Sequence, residues 1–186
     1  IHEWAAIALW SFANGTVPRG NTNYGRSHEN KLETARRGDN GLPGDASGLA
    51  RTDTGKGPAT WSHDHTEWGI QDLVGNVWEW LDQMMLDEGQ IITTLDNNPA
   101  VIEENWNKHT AFFDSPTANT EGAGSAGSPK LSNSVTNRNG PAGNDANDNP
   151  YLTNSHFAAI EKAPDYNKIE LLRRLLIESE STTTVG

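Results

Sequence analysis

Apolar residues in this chain come in short, separated bursts, and the spacing inside each burst predicts a few brief elements joined by long polar stretches. Trp4, Ile7, Ala8 and Phe12 fall on one stripe at helical spacing, which predicts an amphipathic helix over residues 1–14. Asn14-Gly15 ends it, because both residues accept a left-handed backbone. Residues 16–60 are loop-rich, with turn signals at Pro18-Arg19-Gly20-Asn21 and Gly41-Leu42-Pro43-Gly44 and room for one short helix from Glu29 to Arg37. Val77 to Leu86 and Gln90 to Leu95 pair as a central β-hairpin, turning at Asp87-Glu88-Gly89, the return strand being rich in β-branched residues. Asn98-Pro99 marks a helix start, with Ile102 and Trp106 on its buried face.

The pattern then changes. Residues 114–150 are dominated by Gly, Ser, Asn, Ala, Asp, Thr and Pro, and Leu131 and Val135 are the only large apolar residues among them. Such a segment buries too little surface to offset its ordering entropy, so a long surface loop held at both ends is expected. A short helix over 155–163 is capped by Ser155 and stopped by Pro164. The clearest helix is predicted at 166–178, where Ile169, Leu172, Leu175 and Leu176 face Lys168, Glu170, Arg173 and Arg174. Ser179 to Gly186 reads as linker.

The densest stretch is Gly69-Ile70-Gln71-Asp72-Leu73-Val74-Gly75-Asn76-Val77-Trp78-Glu79-Trp80. On a strand, Trp78 and Trp80 share a face and Glu79 takes the other. Two rings and two acids in so short a stretch predict the structural centre of the fold.

Composition narrows the possibilities. A chain of 186 residues suggests one domain. Mean hydropathy is -0.70, so the core must be economical. The 18 Gly and 9 Pro predict much irregular backbone. The net charge of -11 argues against nucleic-acid binding and against docking on anionic membranes, and is compatible with cation binding or with a solvated acidic surface. With no cysteine, disulfides, thiolate catalysis and zinc–thiolate sites are excluded. No apolar run is long enough to span a bilayer. The opening inside a helix suggests a piece of a longer polypeptide.

Three candidate sites stand against plainer readings, and two further motifs fail. Asp72, Gly75, Val77 and Glu79 could supply two carboxylates and two carbonyls to a hard cation such as calcium; alternatively Asp72 caps a turn and Glu79 pairs with a base. His63-Asp64-His65 could ligate or act as a base, but packing and hydrogen bonding explain it as well. Trp61, Trp68, Trp78 and Trp80 could stack on sugars, or form core. Gly55-Lys56-Gly57-Pro58 lacks the glycine spacing and the Lys-Ser/Thr ending of a phosphate loop, and Gly122 to Gly127 lacks the register of a serine nucleophile motif.

The block from Gly69 to Trp80 closely resembles the signature of the formylglycine-generating-enzyme, or sulfatase-modifying-factor, superfamily. His2-Glu3-Trp4-Ala5-Ala6 is similar to that family's earlier Glu-x-Glu-Trp-x-x-Ala helix, with His2 a departure. The resemblance covers about residues 1–95. It implies an α+β, C-type-lectin-like fold, loop-rich with short helices, in one domain spanning 1–186 and incomplete at both ends. It implies a structural Ca2+ at Asp72, Gly75, Val77 and Glu79, and a structural core motif of Trp4, Asn76, Trp78 and Trp80. The family's enzymes oxidise with cysteine, which is lacking here. Its iron enzymes use histidines that find no match.

His2 to Trp10, Pro18 to Gly25 and Trp61-Ser62-His63-Asp64 resemble phage structural proteins of a non-catalytic branch. The implied function is therefore non-enzymatic: a virion protein on the phage particle surface, used for host-surface binding or decoration. Its partners would be a host cell-surface glycan or protein and other virion proteins, in a homo-oligomer, with no membrane insertion. A purely structural capsid or tail component and a metal-dependent oxidase are the alternatives. The family's closing Gly-Gly-x-Trp and Gly-Phe-Arg strands do not appear, so the ligand-binding residues stay unassigned.

Overall fold

The computed structural model describes residues 1–87, 89–114, 130–133, 160–164, 166–178 and 184–185. The architecture is loop-rich α+β. Where a single domain is expected, the chain divides into two compact units, Ile1–Ala5 with Leu81–Gly186, and Ala6–Trp80.

The first unit is built on a sheet. Its strands are β1 (Met84–Asp87), β2 (Gln90–Thr93), β3 (Asn107–Asp114), β4 (Lys130–Ser132), β5 (Ile160–Lys162) and β6 (Thr184–Val185), lying in that order. Neighbours are antiparallel except β4 and β5, which run parallel. The predicted hairpin is present but trimmed. Asp87 pairs with Gln90, and between them Gly89 takes a φ of +83°, which a glycine adopts without strain. Residues 77–83 are not strand; a Gln83 φ of +68° breaks extended backbone just before β1.

Burial selects the other strands. His109, Ala111 and Phe113 alternate inward along β3, the period expected of a half-buried strand. They join Ala5, Ile91, Leu131, Leu172, Leu175 and Ile177 in the interior. Trp4, Met84, Leu86 and Tyr166 pack against this cluster. Leu131, isolated in a polar stretch, is wholly buried on β4. Residues 115–129 and 134–150, including Val135 and the glycines from Gly122 to Gly127, lie outside the described residues, as does most of the predicted 155–163 helix; its end is strand β5.

Two further expected helices are shorter. After Asn98-Pro99 the chain makes only a 3-10 turn, Glu103–Asn105, and Ile102 is exposed. The 166–178 segment holds a helix only over Glu170–Arg174 (α2). It stops because Leu176 turns left-handed at φ +58°, while Ile177 N–H reaches Leu172 O at 2.9 Å and Leu176 N–H reaches Arg173 O at 3.1 Å. Glu178 then folds under: its Oε2 accepts Tyr166 OH at 2.7 Å and Ile169 N–H at 3.1 Å, and Lys162 Nζ stands 3.3 Å from Oε1. Burial, first, and the Glu178 carboxylate raise the Tyr166 pKa well above its ordinary value.

The second unit holds little regular structure. Helix α1 (His2–Asn14) runs as predicted and ends as predicted: Gly15 is left-handed, Thr16 N–H bonds Ser11 O at 2.9 Å and Gly15 N–H bonds Phe12 O at 3.3 Å. The stripe is shifted, however. Phe12 is exposed and Ser11 is buried, donating to Ile7 O at 3.1 Å and His63 O at 2.8 Å. No helix forms between Glu29 and Arg37; isolated bridges Arg26↔Thr34 and Arg37↔Thr52 take its place. Ala35 and Trp61 are the buried apolar residues here, against Ser11, Asn21, Ser27, Arg37, Thr52, Ser62 and Asp72. Hydrogen bonds, more than apolar area, therefore position its loops.

Candidate functional site

The Asp72–Asn76 segment is a polar knot. Asp72, Gly75 and Asn76 all take left-handed backbone, at φ of +60°, +74° and +63°, residue types that tolerate it. Gly75 is required sterically, because a Cβ there would stand 2.3 Å from Asn21 O. The Asn76 N–H donates to Asn21 O at 2.8 Å. Its Oδ1 accepts Thr52 N–H at 2.8 Å and Thr52 Oγ1–H at 3.2 Å. Asp72 Oδ2 accepts Gly55 N–H at 2.6 Å, and Oδ1 faces Asn76 Nδ2 at 3.4 Å. Three loop segments thus meet around two side chains.

These contacts bear on the calcium expected here. Both Asp72 oxygens point at protein donors, the Gly55 N–H and the Asn76 side-chain amide. Val77 is half exposed and Glu79 is exposed. Among the described residues, no three His, Cys, Asp or Glu side chains are placed to share a metal ion. Asp72, Gly75, Val77 and Glu79, as arranged, do not fit a shell of 6–8 oxygens. Asp72 acts as the cap of a turn.

The histidine pair is likewise engaged in structure. His63 Nδ1 accepts Ile70 N–H at 3.0 Å, and the ring lies 5.2 Å from that of Trp10 at 47°. Asp64 Oδ1 accepts from Thr66 N–H at 2.9 Å and Ser62 Oγ–H at 3.1 Å. The Thr66 N–H first, then the hydroxyls of Thr66 and Ser62, hold the Asp64 carboxyl below its ordinary value. His65 reaches Val17 O at 3.2 Å. Ser62 is fully buried, so its hydroxyl is closed to substrate.

The tryptophans divide sharply. Trp61 is 1 % exposed and its Nε1–H donates to Glu33 Oε2 at 3.1 Å. Glu33 also takes an ion pair from Arg19, whose Nε–H is shared between Oε1 and Oε2 at 3.0 and 2.9 Å and whose Nη2 donates to Oε1. That guanidinium is the main reason the Glu33 pKa falls to about 2. Trp68, Trp78 and Trp80 are instead 93 %, 101 % and 100 % exposed. The expected core motif is corrected accordingly: Trp4 packs on the first unit's core and Asn76 ties the knot, but Trp78 and Trp80 project into solvent. The reason is backbone. With no strand at 77–83, period-two alternation has no sheet face to bury its rings against. Ile70, Val77 and Leu81 are also exposed, so 68–81 presents an apolar run to water.

One organising residue has no sequence motif. Arg37 is 1 % exposed, and its guanidinium donates to Leu49 O, Leu42 O, Asp45 O, Ser47 O and Asp39 Oδ2. The signal available in sequence was an Arg36-Arg37 pair leading into Gly-, Asp- and Pro-rich turns. No protein-family model matches the chain, and no curated protein is similar to it at a significant level.

Proposed function

We propose that the chain is a non-enzymatic recognition domain of a phage particle, C-type-lectin-like in framework, that binds a host cell-surface glycan at the virion surface. The observation that carries this reading is the exposure of Trp68, Trp78 and Trp80 on residues 68–81. Indole faces are costly to leave in water and stack on sugar rings, so an exposed set of this kind marks a contact surface. The resemblance of Gly69 to Trp80 to the sulfatase-modifying-factor signature suggests the framework, and that of His2 to Trp10, Pro18 to Gly25 and Trp61 to Asp64 to phage structural proteins suggests the phage context. The polar knot beneath gives the loop a rigid base. The His63, Asp64 and Ser62 groups are occupied in structural bonds, which favours binding over catalysis.

A glycan array and a panel of bacterial cells, probed with the labelled chain, test it. Binding that drops about tenfold in Trp78→Ala and Trp80→Ala, with folding intact, is expected; loss of one good stacking contact is worth about 1.4 kcal/mol. Binding unchanged by both substitutions overturns the glycan reading. The same exposed indoles also favour a second reading, an assembly contact with copies of this chain or other virion proteins. Burial of residues 68–81 between subunits in a particle reconstruction decides for assembly; a solvent-facing position decides for recognition.

A further inference from the structure

The first unit contains a cleft of about 420 Å³, within the range of roughly 300–1,000 Å³ typical of small-ligand sites. Gln83 lines it and is 6 % exposed. The Gln83 main chain is satisfied, its N–H donating to Asp82 Oδ1 at 2.7 Å and its carbonyl accepting Thr94 N–H at 3.3 Å. Its carboxamide makes no hydrogen bond with a described residue, so on a side chain that is otherwise buried the polar end stays open to a partner in the cleft it lines. Glu103 and Glu104, brought in by the 3-10 turn, also line the cleft, and neither carboxylate pairs with a described residue. Trp106 forms part of the wall, its ring fixed by an Nε1–H bond to Val101 O at 3.0 Å. Ile102 adds apolar surface.

A carboxamide acceptor, two free carboxylates, an indole and an aliphatic side chain are complementary to one chemistry, a cationic nitrogen on an apolar stem. The carboxylates supply charge, the indole attracts cations over its face, and the apolar residues cover the stem. We infer that this cleft binds an alkylammonium or guanidinium group of the kind a lysine or arginine side chain carries. A hard metal ion suits it poorly, since Trp106 and Ile102 offer no oxygen ligands.

The test is an NMR titration of the full chain, following the indole N–H of Trp106, assigned with Trp106→Phe. The probes are N-acetyl-lysine methylamide, n-butylammonium chloride, N-acetyl-norleucine methylamide and calcium chloride, each to about 20 mM, where a site worth only ~3 kcal/mol is still visible. Saturable shifts with the lysine probe and none with norleucine are expected. The double variant Glu103→Gln, Glu104→Gln should weaken binding about tenfold, and Gln83→Ala about fivefold, the latter within the range of an ordinary net hydrogen bond. Should Gln83→Ala fail to fold, Gln83→Glu serves, and it should tighten binding. Equal binding of n-butylammonium supports a free amine as ligand, and its failure beside a bound lysine probe supports a side chain on a partner. Norleucine shifts equal to those of lysine, saturation by calcium alone, no saturable shift, or binding untouched by the Glu103/Glu104 substitutions each overturn the inference.

Discussion

The Asn76 side-chain oxygen accepts the Thr52 backbone N–H at 2.8 Å, joining two loops that stand 24 residues apart. The same amide group faces Asp72, whose carboxylate holds Gly55 N–H at 2.6 Å. Asn76→Ala removes the acceptor and leaves a part-buried N–H without its partner, so stability should fall by about 2–3 kcal/mol. Asn76→Asp keeps the acceptor but sets a second carboxylate against Asp72, and should destabilise more at neutral pH than near pH 3. Urea unfolding of both variants at the two pH values measures this. An unchanged midpoint in Asn76→Ala would remove the knot from the account of the fold.

Because protein donors occupy both Asp72 oxygens, the fold should not depend on calcium. Melting temperature is expected to be equal in EDTA and in millimolar calcium chloride. A calcium-dependent rise that Glu79→Gln abolishes would restore the ion to this site.

Glu33 makes the second unit acid-sensitive. Its folded pKa, about 2, lies below the ordinary 4.5, held down chiefly by Arg19. The unfolded chain therefore takes the proton first. The contribution is fully present above pH 4.5 and is lost as pH falls towards 2, amounting to ~1–3 kcal/mol. Glu33→Gln should flatten the stability profile across that window, read by Trp61 fluorescence during urea unfolding.

His109 acts in the first unit with the same sign. Burial holds its pKa below 6.5. Thr93 Oγ1 donates to Thr94 O at 2.9 Å, so it accepts from His109 Nε2–H at 2.8 Å, and Asn107 Nδ2 donates to Nδ1 at 3.1 Å. The ring is thus the neutral Nε2–H tautomer. Its contribution is present above the ordinary pKa and falls away as pH drops beneath it. An NMR titration of the His109 ring should show a midpoint below 6.5; one at or above that value contradicts the buried neutral ring.

The two kinds of tryptophan should separate cleanly. Trp61→Ala empties a buried position and loses the Glu33 bond, costing about 3–5 kcal/mol. Trp78→Ala and Trp80→Ala remove fully exposed rings and should change stability by no more than about 0.5 kcal/mol. Denaturant midpoints of the three variants provide the comparison, and a large loss at Trp78 would return it to the core.

What the sequence revealed was local. Helix α1, its Gly15 stop and the 84–93 hairpin rest on periodicity and turn chemistry contained within a few residues. Strand β3 escaped because its inward residues, His109, Ala111 and Phe113, do not form an apolar pattern; only burial reveals the alternation. The 166–178 helix failed at Leu176, which turns left-handed although no glycine or proline stands there, and the Glu178 that follows bonds back to Tyr166 and Ile169. Trp78 and Trp80 carried the largest apolar signal and were assigned inward, although side-chain size says nothing about whether a sheet face exists to receive it. The polar knot was visible as types and spacing, but its partners, Thr52 and Gly55, come from a distant loop.

Arg37 grips the turn around it almost wholly through main-chain carbonyls. Every amino acid brings the same carbonyl, so the identity of the residues at 42, 45, 47 and 49 is irrelevant to that grip. At those four positions side chains can be exchanged while the path of the chain stays put, provided Arg37, Asp39 and the crowded glycines Gly41, Gly44 and Gly48 are kept.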